Sequence, residues 1–91
     1  MVSQKVKVCN PSGLHLRPAG NLCKEALKYR SKVEIVFGDT CANAKSVLSV
    51  LGACVKSGDE IEFRCSGEDE EEALAAVVRL TKDGFGEEKG K

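Results

Sequence analysis

Ser57-Gly58-Asp59-Glu60-Ile61-Glu62-Phe63-Arg64-Cys65-Ser66-Gly67-Glu68-Asp69-Glu70-Glu71-Glu72-Ala73-Leu74 changes its apolar period part-way along. After the turn residues Ser57, Gly58 and Asp59, the side chains of Ile61, Phe63 and Cys65 alternate with Glu60, Glu62 and Arg64, the period of two expected of a half-buried strand. Ala73, Leu74, Val77, Val78 and Thr81 then recur at helical spacing. The carboxylate run Glu68 to Glu72 falls at the first turn of that helix, where the helix dipole favours negative charge, so it reads as a helix start and not as a catalytic cluster. A strand with one wet face, followed by a helix with one apolar face, belongs to an antiparallel sheet covered by helices on one side only.

The remaining chain repeats these two patterns. Val2 to Val8 alternates, with Val6 and Val8 on one face and Lys5 and Lys7 on the other, where they can meet Glu60 and Glu62 across paired strands. Leu16, Ala19, Leu22, Cys23, Ala26 and Leu27 mark a first helix. Val33, Ile35 and Phe37 form a second strand, and Gly38-Asp39 suits a type II′ hairpin turn into a short strand at Thr40 to Asn43. Ser46 to about Gly52 reads as a short helix capped by Ser46. Lys82-Asp83-Gly84-Phe85-Gly86 ends the last helix, with Gly84 as its C′ residue. The expected fold is α+β and two-layered, in the order βαββαβα. Residues 1–85 form one domain, and residues 86–91 are expected to form a flexible C-terminal tail.

Composition narrows the function. Ninety-one residues with 42% apolar content suit a single domain with a modest core. Lys plus Arg and Asp plus Glu number 14 each, so no global field draws the chain to nucleic acid or to an anionic membrane. The longest apolar run, Ala73 to Val78, is too short to span a bilayer, and Met1 to Lys5 carries no secretory leader, so a cytoplasmic protein is expected. Five cysteines (Cys9, Cys23, Cys41, Cys54 and Cys65) include no CxxC pair. That spacing argues against a disulfide framework and a metal site, and Cys23 and Cys65 fall at core positions.

The only histidine, His15, stands in Gly13-Leu14-His15-Leu16-Arg17-Pro18-Ala19, where the turn Asn10-Pro11-Ser12-Gly13 opens onto the first helix. Pro18 fits the first helical turn because its missing N–H would have no intrahelical partner there. His15 therefore lies at or beside the N-cap, where unpaired N–H groups and the helix dipole attract anions. Arg17 adds a planar fork of donors suited to bidentate contact with phosphate. A plain helix-capping histidine is the competing reading. The glycine turn, the histidine, the arginine and the proline together instead form a directed anion site that could accept a phosphoryl group.

Gly13-Leu14-His15-Leu16-Arg17-Pro18-Ala19 resembles the active-site signature of the histidine-containing phosphocarrier (HPr) family of the bacterial sugar phosphotransferase system. Asn43-Ala44-Lys45-Ser46 resembles the family's second site, and Gly58 to Phe63 with Gly67 to Glu70 resembles its last strand and the start of its last helix; the likeness spans roughly residues 2 to 83. The resemblance implies a four-stranded antiparallel open-faced sandwich with three helices. It also implies a carrier that takes a phosphoryl group from enzyme I onto His15, at the pros nitrogen rather than the tele nitrogen, and passes it to the A domain of a sugar permease. Arg17 corresponds to the family's phosphoryl-contacting arginine. No cofactor is implied. Leu16 is bulkier than the small residue often found beside the histidine, and Gly20 weakens the first helix, two departures that bear on partner choice more than on chemistry.

The resemblance gives Ser46 a second role, as a site for an ATP-dependent serine kinase/phosphatase whose product partners a catabolite-control transcription regulator in some members. Arg17, Lys24 and Lys28, spaced seven and four residues apart, would share one face of a continuous helix at about 100° per residue and could dock acidic partners. The short helix has more apolar residues than one buried stripe needs, so Val47 or Leu48 is expected to be exposed. Ser12, Leu16, Gly20, Lys24, Lys28, Val47, Leu48 and Leu51 complete the expected partner-contacting set on a monomer. Two alternatives stay open: a regulatory paralogue acting through phospho-Ser46, and a carrier in a nitrogen or dihydroxyacetone phosphorelay.

Overall fold

The computed structural model describes residues 1–86. The elements are β1 (Val2–Lys7), α1 (Leu16–Ala26), β2 (Lys32–Phe37), β3 (Thr40–Asn43), α2 (Val47–Gly52), β4 (Glu60–Ser66) and α3 (Glu70–Lys82), the βαββαβα order expected. They build one antiparallel sheet in the order β1-β4-β2-β3 with three helices on one face. Residues 87–91, most of the expected tail, lie outside the described residues, and none of the helices within them is long and apolar enough to cross a membrane.

Strand alternation sets which face is covered. Val6, Val33, Ile35, Ala42, Ile61, Phe63 and Cys65 are all buried and receive the helices, which add Ala19, Leu22, Ala26, Val50, Ala73, Val77 and Val78 to the same core. On the open face, Lys5 pairs in register with Glu62 and Lys7 with Glu60, as the charge alternation anticipates. The close ion pairs on this face run along the strands, Lys32–Glu34 at 3.4 Å and Arg64–Glu62 at 3.5 Å. Such exposed pairs contribute little to stability, so burial on the other face does the work of holding the sheet.

The β2–β3 connection is the two-residue turn expected. Phe37 pairs with Thr40, Gly38 has φ +60, and Asp39 keeps a negative φ, which distinguishes II′ from I′. At the end of α3, Gly84 at φ +77 donates its N–H to Thr81 O at 3.0 Å and Phe85 donates to Leu80 O at 2.8 Å, the two bonds of a Schellman motif. This motif turns Phe85 back into the core, where it is fully buried and where Asn21 Nδ2 donates to its carbonyl at 2.7 Å.

The carboxylate run divides in a way that the sequence reading does not anticipate. Glu70, Glu71 and Glu72 occupy the first turn of α3, while Asp69 is its N-cap residue but makes no capping bond with its side chain. That carboxylate accepts from Arg30 N at 2.9 Å, Ser31 N at 2.9 Å and the Ser31 hydroxyl, clasping the start of β2 to the start of α3. Gly67 completes the clasp, because a Cβ there would come within 2.8 Å of Ser31 Cα. The Ser31 hydroxyl, followed by the Arg30 N–H, holds the Asp69 carboxyl down at about 2. All five cysteines are free thiols, and burial, helped by the nearby Glu70 and Asp69 carboxylates, pushes the Cys65 thiol up to about 11.

Two stability outcomes follow. Because the folded carboxyl of Asp69 titrates below the ordinary value of 3.8, its contribution is fully present above that pH and is lost as pH falls through about 2. Urea midpoints at pH 7, 4 and 2 should fall more steeply for the wild type than for Asp69→Asn, which should start lower at pH 7. Gly20 has an ordinary helical backbone and nothing within 4 Å of a Cβ built upon it, so Gly20→Ala should raise stability by about 0.5–1 kcal/mol in the same assay.

Candidate functional site

The histidine is delivered by a turn fixed at both ends. Asn10, fully buried, donates from Nδ2 to Gly13 O at 2.8 Å, while Gly13 N donates back to Asn10 O at 3.2 Å. Gly13 has φ +64, and a Cβ there would lie 2.8 Å from both Lys56 Cα and Val55 O and 2.9 Å from Ser57 N. Only glycine permits this approach of two backbones. Leu14 N donates to Val55 O at 3.0 Å, and the Leu14 side chain is buried.

His15 follows as the N-cap residue of α1, with extended backbone at φ −80 and ψ −173. Its side chain is exposed and makes no capping hydrogen bond. Its carbonyl accepts the first intrahelical bond, from Ala19 N at 2.8 Å. The N–H groups of Leu16 and Arg17 therefore precede the helical ladder, and Pro18, fully buried at the third position, has none to leave unpaired. An exposed imidazole stands at a helix N-terminus, two residues before the exposed Arg17 of the first turn, an arrangement that suits a transferable anion.

The partner-contact candidates separate by position. Leu16 is 69% exposed on α1 and Leu48 is 82% exposed on α2, so Leu48 is the outward apolar residue that the short helix requires. Val47 and Leu51 are half-buried against the core, as are Ser12 and Gly20, and Lys24 is exposed on α1. Lys28 is exposed just past the end of α1. Helix α1 ends at Ala26, so Lys28 lies beyond the C-cap Leu27, where it pairs with Glu25 at 3.1 Å. The helix stops because Lys28 N and Tyr29 N turn to Glu25 O and Ala26 O, tightening the last turn.

Helix α2 packs beside α1, and Cys23 Sγ of α1 donates to Lys45 O at 3.0 Å, just before α2. Ser46 is the N-cap, its Oγ accepting from Ser49 N at 3.3 Å. Lys45 Nζ reaches back to Tyr29 O at 2.8 Å, tying the segment before α2 to the turn after α1.

Two residues beside His15 go unread in the sequence. A groove of about 230 Å³ is lined by Leu14, His15, Leu51, Cys54, Val55 and Lys56. Cys54 follows the C-cap of α2 with φ +56, a left-handed position that usually takes glycine and here follows Gly52 by two residues. A side chain in that conformation costs roughly 1–2 kcal/mol. The available signal was the absence of a glycine where the helix needed its left-handed exit.

Comparison with known proteins agrees with this geometry. Residues 2–83 match the family model described as the PTS HPr component phosphorylation site. The chain is 38% identical over 88 residues to the phosphocarrier protein HPr of Treponema pallidum, covering 97% of this chain and 100% of that protein. It is 39% identical over 83 residues to the HPr-like protein Crh of Bacillus subtilis, covering 91% and 98% respectively. Among solved structures, HPr-C-His from Thermoanaerobacter tengcongensis superposes with a TM-score of 0.92 at 34% identity, covering 97% of this chain and 99% of that one. With the family model spanning nearly the whole described chain and the fold shared at a TM-score of 0.92, the protein belongs to the HPr phosphocarrier family of the phosphotransferase system.

Proposed function

We propose that this protein is a cytoplasmic, monomeric phosphoryl carrier that accepts the phosphoryl group of phospho-enzyme I on Nδ1 of His15 and passes it to the A domain of a sugar permease. The observation that carries this reading is the state of His15: it holds the N-cap position of α1, yet its exposed imidazole makes no capping bond. A histidine retained to cap the helix would use its side chain there. In the transfer, a ring-nitrogen lone pair forms the new P–N bond as the donor's bond to phosphorus breaks, and that electron pair leaves with the donor. Phosphoryl transfer asks the carrier mainly for positioning and charge compensation, which the helix end and Arg17 supply. Leu16, Lys24 and Leu48, with Ser12, Gly20, Val47 and Leu51 around them, are the surface offered to partners.

Ser46 is the proposed regulatory site. A phosphate on its oxygen would add a charge of about −1.5 to −2 at the start of α2, beside the surface that receives enzyme I. A second reading, a regulatory paralogue acting through phospho-Ser46 on a transcription regulator, draws on the likeness to Crh. The presence of His15 favours the carrier reading, because the family's purely regulatory paralogues lack the histidine.

Incubation with phosphoenolpyruvate and enzyme I should place an acid-labile phosphate on the wild type and none on His15→Ala; labelling that survives the substitution overturns the assignment. Wild-type protein that takes no label from enzyme I, but takes acid-stable phosphate on Ser46 from a cell extract with ATP, would make the regulatory reading correct. Ser46→Asp, which carries a single negative charge, should slow loading by enzyme I by about threefold to tenfold, with the effect shrinking as salt is raised.

A further inference from the structure

The His15 groove holds a cation that belongs to neither the histidine signature nor the Ser46 segment. Lys56 lines the groove with His15, far downstream in sequence, because the chain leaving α2 is held against the His15 turn. The attachment is made by backbone: Leu14 N donates to Val55 O at 3.0 Å, and the Gly13 α-carbon sits so close to Lys56 that a Cβ would meet Lys56 Cα at 2.8 Å. On its other side, Lys56 N donates to Asp59 Oδ2 at 2.9 Å and Asp59 N donates to Lys56 O at 3.0 Å, closing a tight turn. The Asp59 carboxylate thus serves the backbone of this turn, and Lys56 remains exposed at the groove.

Resting on the carrier reading, we propose that Lys56 is a second phosphoryl-binding cation, contacting the phosphoryl oxygens on His15 from the side opposite the start of α1. A phosphoryl group on the imidazole gains charge that Arg17 and the helix N-terminus can meet, but neither Leu16 nor Arg17 lines this groove. The groove beyond His15 is otherwise bordered by Leu14, Leu51, Cys54 and Val55, which offer no formal charge, so Lys56 is the group placed to compensate there. As an ammonium on a flexible stem it acts as a point charge that follows the phosphate, whereas Arg17 is suited to fix its orientation.

The test loads His15 without any partner protein. Phosphoramidate transfers its phosphoryl group directly to imidazole, its P–N bond breaking as the new one forms and ammonia leaving with a proton. Phosphorus NMR then follows the second ionisation of the phosphoryl group against pH. A nearby cation favours the dianion, so Lys56→Gln should raise that pKa by on the order of 0.3, and Lys56→Arg should restore it. Lys32→Gln, which removes the same charge at the far end of the sheet, should leave it in place. In parallel, loading by enzyme I should slow by about threefold for Lys56→Gln, chiefly in the turnover rate and not in the carrier concentration giving half-maximal rate. A phosphoryl ionisation unchanged between wild type and Lys56→Gln would overturn the proposal, even if loading were slowed, because the lysine would then be touching the partner. Failure of wild-type His15 to take phosphate from either donor would instead overturn the carrier reading itself.

Discussion

The close approach of the Gly13 backbone to residues Val55, Lys56 and Ser57 is the constraint on which the functional end of this molecule depends. A Cβ at Gly13 would lie under 3.0 Å from atoms of all three residues, closer than a packed side chain tolerates. Because this contact is backbone against backbone, neither segment can yield by rotating a side chain. It fixes where α1 starts relative to the loop that leaves α2. The N-cap position of His15, the burial of Leu14 and the placement of Lys56 all follow from it.

The sheet supplies the rigidity that makes such a contact useful. The strand that begins at Glu60 is bonded to β1 on one side and β2 on the other, so the end of β1, which leads into the His15 turn, and the start of β4, which follows the Lys56 turn, belong to one plate. Val8 N donates to Asp59 O at 2.8 Å and Gly58 N donates to Val8 O at 2.7 Å, carrying the pairing into both loops. The opposite end of the plate is closed by Asp69 with Ser31. The candidate site thus sits on two loops that continue rigid strands, with His15, Arg17 and Lys56 exposed.

The order and faces of the elements were legible because each rests on a local rule. Alternation at Ile61, Phe63 and Cys65 fixes the buried face of β4, and its register with β1 sets Glu60 and Glu62 opposite Lys7 and Lys5. Even the four-residue β3 was readable, since a Gly-Asp pair between two extended runs leaves few other turns. Some departures are contacts between residues distant in sequence, and others are local turns of the backbone. Asp69 reads as a helix-start carboxylate from its neighbours alone, and only the fold brings the Arg30 and Ser31 donors to it. Phe85 reads as part of a chain end, and only the Schellman turn drives it inward. Lys28, spaced as part of α1, lies just past its end.

Cys54 shows how such non-local demands are written into residues that look unremarkable in the sequence. The helix before it could have ended in the usual way on a glycine, and Gly52 stands two positions too early to supply the left-handed residue. The chain instead accepts the conformational cost of a side chain at φ +56, which keeps Val55 O aligned with Leu14 N and Lys56 against Gly13. Strain in one loop is thereby tied to the glycine in the other. The histidine signature alone specifies an exposed imidazole at a helix end; the geometry of its surroundings is specified by the loop from Ala53 to Asp59, whose backbone meets Gly13 and Leu14.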